Sequence, residues 1–287
     1  MSLNVPTPSI KPAVVEQSYA GVPADVVRGI QTASNKTGVD FKYLLAQAKI
    51  ESGFNPAAKA ATSTARGLYQ FIEQTWLKMV KDHGAEYGLG DMADSISQGS
   101  DGRMRVADRA TRSEILALRD NPAVSAAMGA EFANDNREYL EGRLSRPVNA
   151  TDLYMAHFLG AGGASRFLNA MERSPGASAA DLLPSAAAAN PNVFYDKAGR
   201  PRSVKSVYEN FAAKIENAGA EAGAVLSAQA DATIHTAAAI GRQIGQGVTG
   251  AFGAIARVFG PGLTTDTVLA LASLPVPGEE AKAGQRS

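Results

Sequence analysis

Apolar residues recur at helical spacing along most of this chain, and no alternating run of β-branched residues suggests a sheet. "PADVVRGIQTASNKTG" starts with Pro23, a favourable first helical residue, and stops at Gly38. Asp40 is the expected N-cap of "FKYLLAQAKIES". Gly53 can close that helix in the left-handed conformation, and Pro56 prevents its continuation. "TARGLYQFIEQTWLKMVKDHG" (64–84) reads as a loop entering a further helix. Residues 85–105, rich in Gly, Asp and Ser, read as an excursion or lid. Residues 112–144 are helical on both sides of Pro122. Thr151 is the expected cap of "DLYMAHFLG", after which a Gly-rich corner leads into "ASRFLNAMER". Several Pro and many Ala over 174–202 indicate short helices and turns, and 203–219 is the last clear amphipathic helix. The pattern predicts an all-α fold.

Composition divides the chain in three. Residues 1–21, with Pro6, Pro8 and Pro12, read as a flexible N-terminal segment. Residues 22–219 hold the helical domain. From 220 to 287 Ala, Gly, Gln and Thr dominate, predicting a partly helical appendage and a disordered tail. Within it Ile240, Ile244, Val248, Phe252 and Ile255 recur at helical spacing, either as a docking surface or as a transient helix in a mobile linker.

Charge and residue usage narrow the chemistry. Lys plus Arg and Asp plus Glu both number 28, which leaves no electrostatic footprint for nucleic acid. Cysteine is absent, excluding thiol catalysis, disulfides and Cys-ligated zinc. The three histidines (His83, His157, His235) are far apart, against a His-based metal site or a Ser-His-Asp triad. No window reaches the ~20 apolar residues of a membrane span. The first residues show neither the charged nor the apolar region of a Sec signal.

One residue stands out. Phe41, Leu44, Leu45 and Ala48 form one helical stripe, and Glu51 continues it at the last turn. A carboxylate there is half withdrawn from water and beside the negative end of the helix dipole. Both conditions disfavour its charged form, as a general acid requires. A surface ion pair with Lys49 or Lys59 is the simpler alternative. The following segment, "SGFNPAAKAATSTARGLYQF", changes that balance. It supplies small residues including Gly67, the hydroxyls of Ser52, Ser63 and Thr64, the amide of Gln70, and the rings of Tyr69 and Phe71. Such groups can line a carbohydrate cleft.

"ESGFNP" followed by "GLYQF" resembles the soluble lytic transglycosylase (SLT) family, within the lysozyme-like superfamily. The wording of "GLYQFIEQTW" and "LYMAHFLGAGGASRFL" is similar to a branch shared by alphaproteobacterial proteins and phage endolysins. The resemblance implies an all-helical enzyme that cleaves the MurNAc–GlcNAc bond of peptidoglycan. It assigns Glu51 as catalytic acid/base, Ser63 or Thr64 as the hydroxyl near it, and Gln70 as a substrate-binding amide. The family's third motif supplies a tyrosine hydroxyl aimed at the acid. Phe158 aligns there, so the hydroxyl is expected from Tyr154, one turn earlier, with His157 beside it.

Ordinary glycosidases use two carboxylates. The resemblance implies one, with the substrate's own C6 hydroxyl closing a 1,6-anhydro ring. Glu73 and Glu131 are the candidates for a hydrolytic, two-carboxylate alternative, while Asp152 reads as first-turn charge. A non-catalytic wall-binding or structural module is the other alternative. The implied partner is the glycan strand, the implied location the periplasm or wall, and no cofactor is implied. Without a Sec signal, the expected routes are flagellar-type export, phage release or another secretion apparatus, with residues 220–287 as the contact to an envelope machine.

Overall fold

A computed structural model of the chain describes residues 18–19 and 22–244, with side chains over 22–224. Its core is helical, as the spacing predicts. Strands β1 (Ser18–Tyr19) and β2 (Val22–Pro23) form a minimal antiparallel pair ahead of α1 (Ala24–Thr37) and α2 (Phe41–Ser52). Part of the expected flexible segment 1–21 is therefore paired, and residues 1–17 lie outside those described. Pro23 is the N-cap of α1 and not its first residue, while Gly38 closes that helix at φ 69°.

After a long loop come α3 (Glu73–His83), α4 (Gly90–Ser95) and a hairpin of β3 (Ile96–Gln98) with β4 (Met104–Val106). The stretch 85–105, expected as an excursion or lid, is mostly exposed and is tied to the core through Ala93, Ile96 and Met104. Ile96, Met104 and Val106 alternate inward along the two strands and are buried. The composition of that stretch concealed Ile96 and Met104, two inward apolar side chains, among many polar ones.

α5 (Arg109–Ala117) leads through a short 3-10 turn into α6 (Pro122–Glu141), which has Asn121 as N-cap and Pro122 at its first position. α6 is buried along most of its length and packs most extensively against α1. Small residues make that approach possible. A Cβ on Gly29 would lie 3.1 Å from Ala123 Cα, and one on Gly129 2.9 Å from the Tyr69 ring.

α7 (Ala150–Leu159) and α8 (Ala161–Arg173) meet at Gly160. The cap of α7 is Asn149, not Thr151: its side chain accepts from Asp152 N while Asp152 accepts from Asn149 N. Thr151 is buried as the second residue of the helix. Short helices α9 (Ala179–Leu182), α10 (Pro184–Ala189) and α11 (Pro191–Phe194) fill the expected stretch of turns.

α12 spans Val204–Ile244, so Gly219 does not end the last helix as the sequence suggests. Gly219 sits 3.8 Å, measured from a built Cβ, from Ala46 of α2. Tertiary packing and the Ala-rich continuation outweigh the modest helix penalty of one glycine. The chain divides into two compact units, Met1–Leu226 and Ser227–Ser287. Of the apolar stripe expected between 240 and 260, only Ile240 and Ile244 fall within α12, and the remainder lies outside the described residues. Among the described residues, no helix is long and apolar enough to cross a membrane.

Candidate active site

α2 delivers Glu51. Asp40 accepts from Tyr43 N at 2.8 Å and starts the helix, and Leu44, Leu45 and Ala48 bury its apolar face. Glu51 ends that face with its side chain 18% exposed. The chain then leaves abruptly through two consecutive left-handed residues, Gly53 (φ 58°) and Phe54 (φ 68°). A phenylalanine in that region is strained, at a cost of roughly 1–3 kcal/mol. Burial of the Phe54 ring in the core holds it there. Gly53 N donates to Lys49 O at 2.9 Å, so the helix end is satisfied and the turn beneath Glu51 is fixed.

α7 brings two groups to the same carboxylate oxygen. Tyr154 Oη donates to Glu51 Oε1 at 3.5 Å, and His157 Nε2 lies 3.3 Å from that atom. Spaced three residues apart, the two rings stack at 6.0 Å with an 11° interplanar angle. Burial, then the charge of Glu51, pushes the Tyr154 phenol well up, so it stays a donor. His157 Nδ1 is buried without a hydrogen-bond partner. Glu51 Oε2 has no partner among the described residues. Phe158 turns away and packs on Phe211 of α12 at 5.0 Å.

Two further groups border the site and were missed in the sequence. Lys214 of α12 donates to Tyr154 Oη at 2.9 Å. It lies 60 residues from Tyr154, and nothing in the local sequence announces the contact. The Tyr43 phenol is pushed far up by burial, and also by Tyr69, Tyr154 and Glu51. Tyr43 lies off the stripe of Phe41, Leu44, Leu45 and Ala48, so the spacing gave no signal for it.

The loop between α2 and α3 corrects the expected cleft lining. Tyr69 is 0% exposed, and its Oη donates to Leu44 O at 3.1 Å. Phe71, 4% exposed, packs edge-on against Trp76 and Phe132. Neither ring is a stacking platform for a sugar. Both face the core because the loop folds back on itself through bridges Lys59–Arg66 and Arg66–Phe71.

Gly67, buried at φ 83°, passes so close to the 3-10 turn that a Cβ would meet Arg119 O at 2.0 Å. Buried Arg119 donates to Thr64 O at 2.7 Å and Phe71 O at 3.2 Å, while Arg66 forks onto Asp120. Gln70, left-handed at φ 49°, directs its amide nitrogen to Ala58 O and Gly67 O. Ser52 Oγ donates to Ala48 O at 3.0 Å. Ser63 and Thr64 are exposed, and their hydroxyls accept from Ala65 N and Glu73 N.

The other carboxylates are engaged elsewhere. Glu73 pairs with Arg112. Glu131, buried, accepts from Tyr87 Oη at 2.5 Å and lies 3.8 Å from His83 Nδ1. Asp152, fully buried, holds Arg146 and the Asn149 cap and accepts from Tyr208 Oη at 3.1 Å.

Residues 28–101 match the family model described as Transglycosylase SLT domain. The matched stretch runs from α1 through β3 and includes Glu51, its left-handed exit and the loop to α3. Tyr154, His157 and Lys214 lie beyond it. Domains of this family act on peptidoglycan in the manner of lytic transglycosylases. Over residues 28–101 the chain is similar to the SLT transglycosylase domain, and its mostly helical fold is the one expected of that lysozyme-like family.

Proposed function

We propose that this protein is a lytic transglycosylase that cleaves the MurNAc–GlcNAc β-1,4 bond with Glu51 as its single acid/base. The observation that carries the reading is the asymmetry of the Glu51 carboxylate. Oε1 faces Tyr154 and His157, while Oε2 has no partner among the described residues. Oε2 carries the proton to the glycosidic oxygen as the bond from that oxygen to C1 breaks. The carboxylate then takes the proton of the substrate's C6 hydroxyl, whose oxygen bonds to C1 and closes the 1,6-anhydro ring. Glu51 ends protonated, and no water is consumed. Burial of the helix end strengthens the Tyr154 hydrogen bond as charge develops on the carboxylate.

Engagement of Glu73, Glu131 and Asp152 in ion pairs and hydrogen bonds of their own supports one carboxylate over two. The domain over 22–219 is the catalytic module in this reading, and its place of action is the periplasm or wall, where the glycan strands lie. The test is lysis of peptidoglycan sacculi by wild type and Glu51→Gln at matched thermal midpoints. Wild-type lysis with an inert but folded variant is expected, and lysis by Glu51→Gln removes Glu51 from the mechanism.

A further inference from the structure

We propose that Lys214 is a positioning residue that holds the Tyr154 phenolic hydrogen on Glu51. This rests on the reading of Glu51 as the acid/base. An ammonium group has three donors and no acceptor. With Lys214 Nζ 2.9 Å from Tyr154 Oη, the phenol oxygen is the acceptor in that contact. Its one hydrogen must point elsewhere, and the acceptor it meets is Glu51 Oε1 at 3.5 Å. Without Lys214 the hydroxyl rotor is free to turn away, because no other partner of Tyr154 Oη exists among the described residues.

The surroundings set Lys214 at that height. Phe211, one turn before it on α12, packs on Tyr154 at 5.6 Å and on Phe158 at 5.0 Å. Further along the same helix, Glu221 pairs with Lys49 of α2 at 2.7 Å. α12 is thereby fixed to both helices that supply the site, and the Lys214 ammonium also lies 5.3 Å from the centre of the Tyr154 ring. As Glu51 gives up its proton, the developing negative charge meets a preset O–H donor backed by a cation. The contact contributes most after the proton has left, so it acts on turnover more than on substrate binding.

The experiment is a double-mutant cycle on purified full-length protein with glycan strands, using Lys214→Met, Tyr154→Phe and the pair, with Lys214→Arg and Glu51→Gln alongside. Lys214→Met should lower kcat about tenfold, the size of one charge-assisted hydrogen bond, with KM nearly unchanged. Lys214→Arg should restore most of the loss. In the Tyr154→Phe background, Lys214→Met should cost nothing more. Unchanged kcat in Lys214→Met, or an equal loss in both backgrounds, overturns the proposal while leaving the role of Glu51 intact. If the wild type itself is inert, the acid/base reading fails, and the Cζ NMR resonance of Tyr154 decides the positioning claim. A shift on Lys214→Met supports it, and an unchanged resonance overturns it.

Discussion

Two neighbouring regions, both singled out by the sequence, have opposite uses in the folded protein. The end of α2 carries Glu51 and leaves one of its oxygens without a partner among the described residues. The loop after it, which holds "GLYQF", turns its aromatic rings, its Gln70 amide nitrogen and its Gly67 backbone inward. In the proposed reaction the first region presents the acid/base. The second is a brace that fixes the first through Tyr69 on Leu44 O and through the clasp of Arg66 and Arg119. A sequence motif beside a catalytic candidate can therefore earn its place by support and not by contact with substrate.

The comparison can be broken at either end. The largest effect is expected from Glu51→Asp, which retains the charge but withdraws the carboxylate by one methylene. Misplacement on that scale costs on the order of 10²-fold in rate, measured as kcat on glycan strands with folding checked by circular dichroism. Near wild-type turnover would contradict a positioned acid.

Next comes Gly67→Ala. The left-handed backbone alone costs about 1–3 kcal/mol, and the 2.0 Å approach to Arg119 O adds to it. Chemical denaturation should show the loss, and a fully stable variant would show that the loop does not need this close pass.

Tyr69→Phe should remove about 1 kcal/mol of stability through loss of the buried hydrogen bond to Leu44 O. Its KM for glycan should not change, since the ring is buried. A raised KM with unchanged stability would return Tyr69 to the cleft lining.

The smallest effect concerns Asp120. The Arg66 guanidinium hydrogen-bonds its carboxylate and holds it below the usual range. A depressed folded value contributes stability above the unfolded pKa, about 3.9, and that stability is lost as pH falls through the folded value. Asp120→Asn should therefore flatten the acid limb of the stability profile slightly, and an unchanged acid limb would place the clasp outside the stability of the loop.

Much of this was legible in the sequence because it is local. The Asp40 cap, the Gly53 exit and the stripe leading to Glu51 depend on residues within one helix, and each follows from spacing and backbone preference. The α7 pair, Tyr154 and His157, was named from the resemblance, and local spacing added only that the two share a helix face. What was not legible is long-range. A period that marks Tyr69 and Phe71 as large and aromatic cannot say whether they face a ligand or Trp76 and Phe132. Thr151 and Asn149 are both good caps by type, and only the reciprocal bond with Asp152 separates them. Lys214 reaches the site through a contact 60 residues away in sequence, which no local pattern encodes.

The most direct test of the central claim, a single carboxylate acting without water, is mass spectrometry of the soluble products released from peptidoglycan sacculi by the purified protein, with Glu51→Gln in parallel. The account predicts muropeptides one water lighter than hydrolysis products, and none from the variant. Hydrated products with free reducing ends would contradict it, and would turn the search to a second carboxylate, beginning with Glu73 and Glu131.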